Sequence, residues 1–299
     1  MTEHFAQPPH WEWYIALYFY LAGIAGGSYV LATILRWRGG AGDERLARVG
    51  FLAAFPLVVV CGILLTIDLG QPMRFWHMLI DTTPGSAGIN FKYWSPISLG
   101  SWALLLFSLF SFVSFLFAWK QNRDGIDARP QSGGIKVWNI LGSLTGLFLA
   151  SYTGVVLSVS NQPVWSDSWV IGALFVASGL SAAAAAMAWL GRSRAGASGE
   201  ARLGVADGYF ALLELVALVV FFVTLSMAGT LSTTLRGVYW VLWILVVLSL
   251  IPPLMNLAGG RARMSGGAAA VERSSVLVPI IVLVGVLLMR IAVIFSAQY

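Results

Sequence analysis

Eight apolar segments, each long enough to cross a bilayer as a helix, constrain this chain more than any other feature. A hydrocarbon core of ~30 Å takes about 20 helical residues, and uninterrupted stretches of that order fall at about 14–35, 50–69, 96–119, 137–160, 169–190, 207–228, 238–258 and 276–296. Glycine, proline and charge mark the breaks, as in Arg36-Trp37-Arg38-Gly39-Gly40 and in the Ser95-Pro96 pair, which can cap and start the third segment. Composition agrees: 58% of the 299 residues are hydrophobic and 10% charged, whereas a soluble domain carries roughly a quarter charged residues. So few charges cannot cover a soluble fold. The expected fold is therefore an all-α membrane protein of eight transmembrane helices, one integral membrane domain over residues 1–299.

The net charge of +5 does not point to nucleic acid, because the basic residues are spread among short loops rather than gathered on one face. Arg36, Arg38, Arg45 and Arg48 follow the first segment, Lys120, Arg123, Arg129 and Lys136 the third, Arg192, Arg194 and Arg202 the fifth, and Arg261, Arg263 and Arg273 the seventh. The opposite side receives Arg74, Lys92 and Arg236. Lys and Arg stay preferentially on the cytoplasmic side of short loops, so both termini are expected outside, on the periplasmic face of the inner (cytoplasmic) membrane. Ahead of the first apolar run stand Glu3, His4, His10 and Glu12 without a Lys or Arg. A signal peptide needs a basic start, so the first helix is expected to be retained.

Few groups in the sequence could hold a redox centre. Cys61 is the single cysteine and stands in an apolar run, as a small core residue, so an iron–sulfur cluster cannot be ligated by this protein alone. His4, His10 and His77 all fall outside or at the outer edge, which leaves no pair to hold a b-type haem between helices. No Rossmann, P-loop or zinc motif is present, and no metal site is expected. Electrons in any redox role must then come from another subunit. A faint repeat sets Gly23-Ile24-Ala25-Gly26-Gly27 beside Gly179-Leu180-Ser181-Ala182-Ala183. It points to two four-helix halves, 1–160 and 161–299, although small residues also recur wherever membrane helices touch. In either case Gly23 and Gly27 allow a neighbouring helix to approach closely.

Ionisable residues inside a bilayer are costly and are functional candidates by default. Asp207 and Glu214 lie on nearly one face of the sixth span, roughly 10 Å apart in depth, and Arg290 lies about 21 Å along the eighth. They could form a proton path, or only pair with neighbouring helices. At the outer end, Tyr14 and Tyr18 of the first span, Asp68 of the second and Tyr152 of the fourth reach similar depth, and Arg74 and His77 follow at the same level. Tyr, Asp, Arg and His within apolar walls suit a quinone, whose ring needs apolar contacts and whose two oxygens need proton-exchanging partners. The alternative is a belt of interfacial aromatics. The outer loop 70–95 is unusually apolar, with Phe75, Trp76, Phe91 and Trp94 among its large side chains. It could lie in the membrane interface or dock an extrinsic partner.

These residues carry a family resemblance over nearly the whole sequence. Trp11-Glu12-Trp13-Tyr14-Ile15-Ala16-Leu17-Tyr18 running into Leu21-Ala22-Gly23-Ile24-Ala25-Gly26-Gly27, then Asp68-Leu69-Gly70-Gln71-Pro72-Met73-Arg74-Phe75-Trp76, then Ser151-Tyr152-Thr153-Gly154, resemble in order the membrane subunit of polysulfide reductase and its relatives. This is the NrfD-like family of quinone-interacting anchors in molybdopterin and iron–sulfur respiratory complexes. The resemblance implies two four-helix bundles, a pocket for menaquinone or ubiquinone near the outer face, an adjacent subunit with four iron–sulfur clusters and a molybdopterin catalytic subunit. It places Tyr152 at a quinone-contacting tyrosine, and a polar path through positions like Asp207 and Glu214 between the cytoplasm and the pocket. Ile15 and Tyr18 depart from the family, where the polysulfide reductase branch has polar Asn and His in the first helix. The expected function is exchange of electrons and protons between membrane quinone and an extrinsic iron–sulfur partner, with proton translocation as an extension. The rivals are a proton or ion transporter and a structural anchor without quinone chemistry.

Overall fold

Each apolar run folds as one helix. The computed structural model describes residues 10–85, 87–125, 132–192, 196–265 and 276–298; His4, Arg129, Arg194 and Arg273 lie outside the described residues. The helices are α1 (Trp13–Arg38), α2 (Ala41–Asp68), α3 (Pro96–Arg123), α4 (Gly133–Ser158), α5 (Ile171–Leu190), α6 (Gly196–Ala228), the single turn α7 (Leu231–Thr234), α8 (Tyr239–Ser265) and α9 (Leu277–Phe295). All but α7 contain a stretch long and apolar enough to cross a membrane, giving the eight spans read from the sequence.

Local chemistry sets the ends. Ser95 caps α3, accepting from the Ser98 amide at 3.5 Å with Pro96 in the first turn, and Ser132 caps α4 through the Ile135 amide at 3.4 Å. Gly39 closes α1 in the left-handed region, φ 77°. Two helices start earlier than their apolar runs: α2 at Ala41 rather than near 50, and α6 at Gly196 rather than near 207. Hydropathy marks where hydrocarbon ends, while backbone hydrogen bonding continues into the polar interface. In α2, Asp43 and Glu44 of the first turn complement the helix dipole.

The packing follows small residues. Helix α1 packs on α2, α2 on α3, α3 on α4 and α4 back on α1; α5 packs on α6, α6 on α8, α8 on α9 and α9 back on α5. These two rings meet along α1 and α5, the two most buried spans. At that seam a Cβ on Gly23 would stand 3.2 Å from Gly179 Cα, and one on Gly27 would stand 2.7 Å from Ala183 Cβ. The seam thus pairs residues that the sequence repeat makes equivalent, so the two parallel helices cross at matching positions. Gly26 meets the Gly146 carbonyl of α4 so closely that any side chain there would overlap it.

The first and last described residues meet. The Trp11 amide donates to Gln298 Oε1 at 2.9 Å, and the Trp11 ring stacks on Trp165 at 4.9 Å. The opposite end, called the basic end below, carries Arg38, Arg45, Arg48, Lys120, Arg123, Lys136, Arg192 and Arg202. On the terminal end the α2–α3 connection forms a 3-10 turn, Pro72–Met78, and a two-stranded antiparallel hairpin, β1 (Ile80–Asp81) with β2 (Gly88–Ile89). Asn90 fastens it: its side-chain amide donates to the His77 carbonyl at 3.0 Å, and its own carbonyl accepts from Trp102 Nε1 at 3.1 Å.

Candidate functional site

Tyr18 and Tyr152 come together inside the first ring. Tyr18, on α1, is 3% exposed, with Tyr152 of α4 and Cys61 of α2 as its polar neighbours; Cys61 Sγ lies 3.8 Å from the Tyr18 carbonyl. The Tyr152 ring lies against Gly100 of α3, where a Cβ would overlap it, and stacks on Phe148 at 6.1 Å. Among the described residues no side-chain hydrogen bond engages either tyrosine hydroxyl. Two phenols in apolar surroundings are thus left with donors to offer a ligand.

Of the other residues read as part of that cluster, Asp68 and Arg74 are exposed and His77 is half-buried. Asp68 ends α2, exposed, with Glu12 and Tyr14 as its electrostatic neighbours. Arg74 is exposed on the 3-10 turn, and His77 stacks on Trp76 at 3.8 Å with its Nδ1 3.3 Å from the Arg74 carbonyl. Phe75, Trp76, Phe91 and Trp94 are all exposed on the same loop, Trp94 by 68%. Ile80, Ile89 and Tyr93 extend this apolar surface.

A second buried polar group lies in the second ring and at the seam. Asp207 accepts from Ser181 Oγ at 2.6 Å. Glu214 is 1% exposed, and its Oε2 has no hydrogen-bond partner among the described residues; Arg290 and Asp207 are its charged neighbours. Arg290 is fully buried with its guanidinium 3.6 Å above the Phe175 ring, donating through Nη2 to the Phe175 carbonyl at 2.9 Å. The same Nη2 stands 3.6 Å from where a Cβ on Gly23 would be, and Tyr20 of α1 is a further neighbour. Arg290 therefore reaches out of the second ring to the α1–α5 seam.

Sequence reasoning singled out the ionisable residues but not their supports. Ser181 was visible only as a member of the repeat, and nothing in the sequence marks Phe175 as the ring beneath Arg290 or Gly100 as the seat of Tyr152. Those roles depend on which helix faces which.

Fold and polar interior together define a multi-pass helical membrane protein whose ionisable side chains are held between spans. The chain belongs to a known family of such proteins: residues 2–299 match the family described as polysulphide reductase, NrfD. It is 26% identical to protein NrfD of Escherichia coli strain K12, over 96% of this chain and 95% of that one. The C polypeptide of polysulfide reductase from Wolinella succinogenes is 29% identical over 58% of this chain and 55% of its own length. The C polypeptide of tetrathionate reductase from Salmonella typhimurium is 30% identical over 55% of this chain and 45% of its own.

Proposed function

We propose that this chain is the quinone-reactive membrane subunit of a respiratory reductase complex, exchanging electrons and protons between membrane quinone and an extrinsic four-cluster iron–sulfur subunit that serves a molybdopterin catalytic subunit. The relatives support the assembly, being named as component polypeptides of polysulfide and tetrathionate reductases. In this reading the two rings are halves 1–160 and 161–299 of one domain, and the basic end faces the cytoplasm across the inner membrane. The termini and the α2–α3 loop then face outward, and the exposed Phe75, Trp76, Phe91 and Trp94 form the partner's docking surface.

The observation that carries the reading is the Tyr18–Tyr152 pair, two phenols without side-chain hydrogen bonds in apolar surroundings. A quinone supplies two carbonyl acceptors and takes up two electrons with two protons on reduction. Tyr18 and Tyr152 would hold and orient those oxygens. Asp68, Arg74 and His77 at the rim would relay protons to outer water. Asp207, Glu214 and Arg290 would offer a longer route from the cytoplasm.

Tyr152→Phe tests the reading. The ring keeps its seat on Gly100, so the complex should assemble unchanged, while loss of one donor should lower quinone turnover about tenfold, the equivalent of ~1.4 kcal/mol. Unaltered turnover would remove Tyr152 from the site. The buried Asp207, Glu214 and Arg290 favour a second reading, a proton or ion transporter; purified protein that responds to an ion gradient but not to a quinone analogue would establish that instead.

A further inference from the structure

The hairpin of the α2–α3 connection leaves one strand edge open. In an antiparallel pair, residues that exchange backbone hydrogen bonds alternate with residues whose N–H and C=O point away from the partner strand. Ile80 pairs with Ile89 and Asp81 with Gly88, and the Asn90 amide donates to the Leu79 carbonyl at 2.9 Å. That bond puts Leu79 and Asn90 at a hydrogen-bonding position of the ladder, so Ile80 and Ile89 form a pair that is not hydrogen-bonded. The Ile89 N–H and C=O therefore point off the outer edge of β2. Among the described residues neither has a hydrogen-bond partner.

Nothing in the sequence blunts this edge. Native edge strands discourage pairing with other chains by carrying charge or proline, and Ala87-Gly88-Ile89-Asn90-Phe91 has neither. Ala87, Gly88, Ile89 and Phe91 are exposed, Ile89 by 76%, and a Cβ on Gly88 would meet nothing within 4 Å. One face of the hairpin is also apolar. Ile80 stands directly across from Ile89, so both side chains leave the same face, and both are exposed. The edge is held in place from behind: the Asn90 carbonyl accepts from Ser98 Oγ at 3.3 Å as well as from Trp102, and the Phe91 ring meets Trp102 edge-on at 6.1 Å. A template that is already fixed loses little freedom on binding.

The exposed groups select the occupant. A donor and an acceptor on one residue of a strand edge are answered together by the backbone of another extended chain, ~4.8 Å away. The apolar face beside them is answered by alternate apolar side chains of that same chain. We propose that the extrinsic partner subunit adds a short extended segment to β2, pairing with the N–H and C=O of Ile89 and laying apolar side chains on Ile80 and Ile89. The proposal rests on the reading of this loop as the partner's docking surface and gives that contact its form. The partner is held by strand addition in a fixed register, and not by apolar packing on Phe75 and Trp76 alone.

The test compares Ile89→Pro with Ile89→Val in the detergent-solubilised complex, reading the affinity of the extrinsic subunit. Proline removes the outward N–H and leaves the bonds to β1 in place, since a strand accepts it where its N–H faces outward. Valine keeps the N–H on nearly the same side chain. Ile89→Pro should weaken partner binding about tenfold, the loss of one hydrogen bond, and Ile89→Val should leave it unchanged. Hydrogen exchange across residues 87–91 of the unaltered protein should slow when the partner binds. That second measurement decides alone if Ile89→Pro unfolds the hairpin, seen as lost protection of the Asp81 amide: no slowing would overturn the proposal. Unchanged binding in Ile89→Pro, or equal weakening in both variants, would also overturn it. If Phe75→Ser with Trp76→Ser still releases the partner in that case, the docking surface stands without strand addition; if the partner stays bound, both readings fall. A complex holding two copies of this chain, parted by Ile89→Pro with the partner still bound, would overturn the proposal in favour of self-pairing at β2.

Discussion

Arg290 holds its guanidinium over the Phe175 ring at 3.6 Å and donates to the Phe175 carbonyl, and neither contact supplies the countercharge that a buried cation needs. A cation–π contact is worth ~2 kcal/mol when desolvated, while the effective penalty for burying an ion is several kcal/mol. Glu214 is near enough to be its electrostatic partner, yet no hydrogen bond joins them among the described residues. Arg290 is thus held by a ring face and a carbonyl, with the Glu214 carboxyl close by but not bonded to it. At the terminal end a simpler ionisable group permits a pH prediction. Asp81 accepts from Thr83 Oγ1 at 2.6 Å and from the Thr83 amide at 2.9 Å, and these bonds, with Lys92 and His77 nearby, hold its carboxyl below the usual 3.8. A carboxyl depressed in the folded state stabilises the hairpin at every pH above its unfolded value, and that contribution is lost as pH falls through the folded one. Amide-exchange protection of the paired strands, Ile80–Asp81 and Gly88–Ile89, should therefore be flat from pH 7 to ~4.5 and decline only below the usual carboxylate range. Asp81→Asn should abolish the step. A step that persists in Asp81→Asn would assign the effect to another group of the loop.

Helix crossings carry the next scale. At α1–α4 the backbones of Gly26 and Gly146 touch, while Gly62 of α2 would meet nothing within 4 Å if it carried a Cβ. Gly26→Leu should therefore lower the unfolding midpoint of the detergent-solubilised protein by the cost of overpacking, ~1–3 kcal/mol or more. Gly62→Ala should be neutral or raise it by up to ~1 kcal/mol through helix propensity. Equal effects at the two glycines would mean that the crossing tolerates separation. Some of this was legible in sequence: Gly23 and Gly27 were readable as a contact because small residues recur at their spacing, and the structure sets them against Gly179 and Ala183. The long starts of α2 and α6 were not, because charge ends a hydrophobic run without ending a helix. Nor was the hairpin, whose two-residue strands leave no alternating pattern to read. The apolar loop itself was legible, and its exposed Phe75 and Trp76 bear the docking proposal. Replacing both with Ser should release the extrinsic subunit on detergent extraction; a complex that survives intact would make the loop an interfacial belt.

Across the whole molecule, the tyrosine pair belongs to the first ring, Asp207 and Glu214 belong to the second, and Arg290 reaches the seam between them at Gly23. In the proposed function, protons for a quinone held by Tyr18 and Tyr152 would have a short way to water at the terminal end past Asp68, Arg74 and His77, and a long way from the basic end by way of Asp207, which accepts from Ser181, then Glu214 and Arg290. Only the long way would move charge across the membrane. The separation of the two groups between rings makes the alternatives experimentally distinct, because a change in the second ring need not disturb quinone binding in the first. Glu214→Gln keeps the shape and hydrogen-bonding capacity of the side chain but cannot carry a proton. In proteoliposomes containing the assembled complex, this variant should lose most of the membrane potential generated per quinone turned over, while turnover itself, fed by the outer rim, is retained. If the wild-type complex generates no potential at all, the long route is idle and Glu214 is a structural hydrogen-bonding residue. If Glu214→Gln halts turnover and potential together, the short route does not reach the site and every proton comes through the second ring.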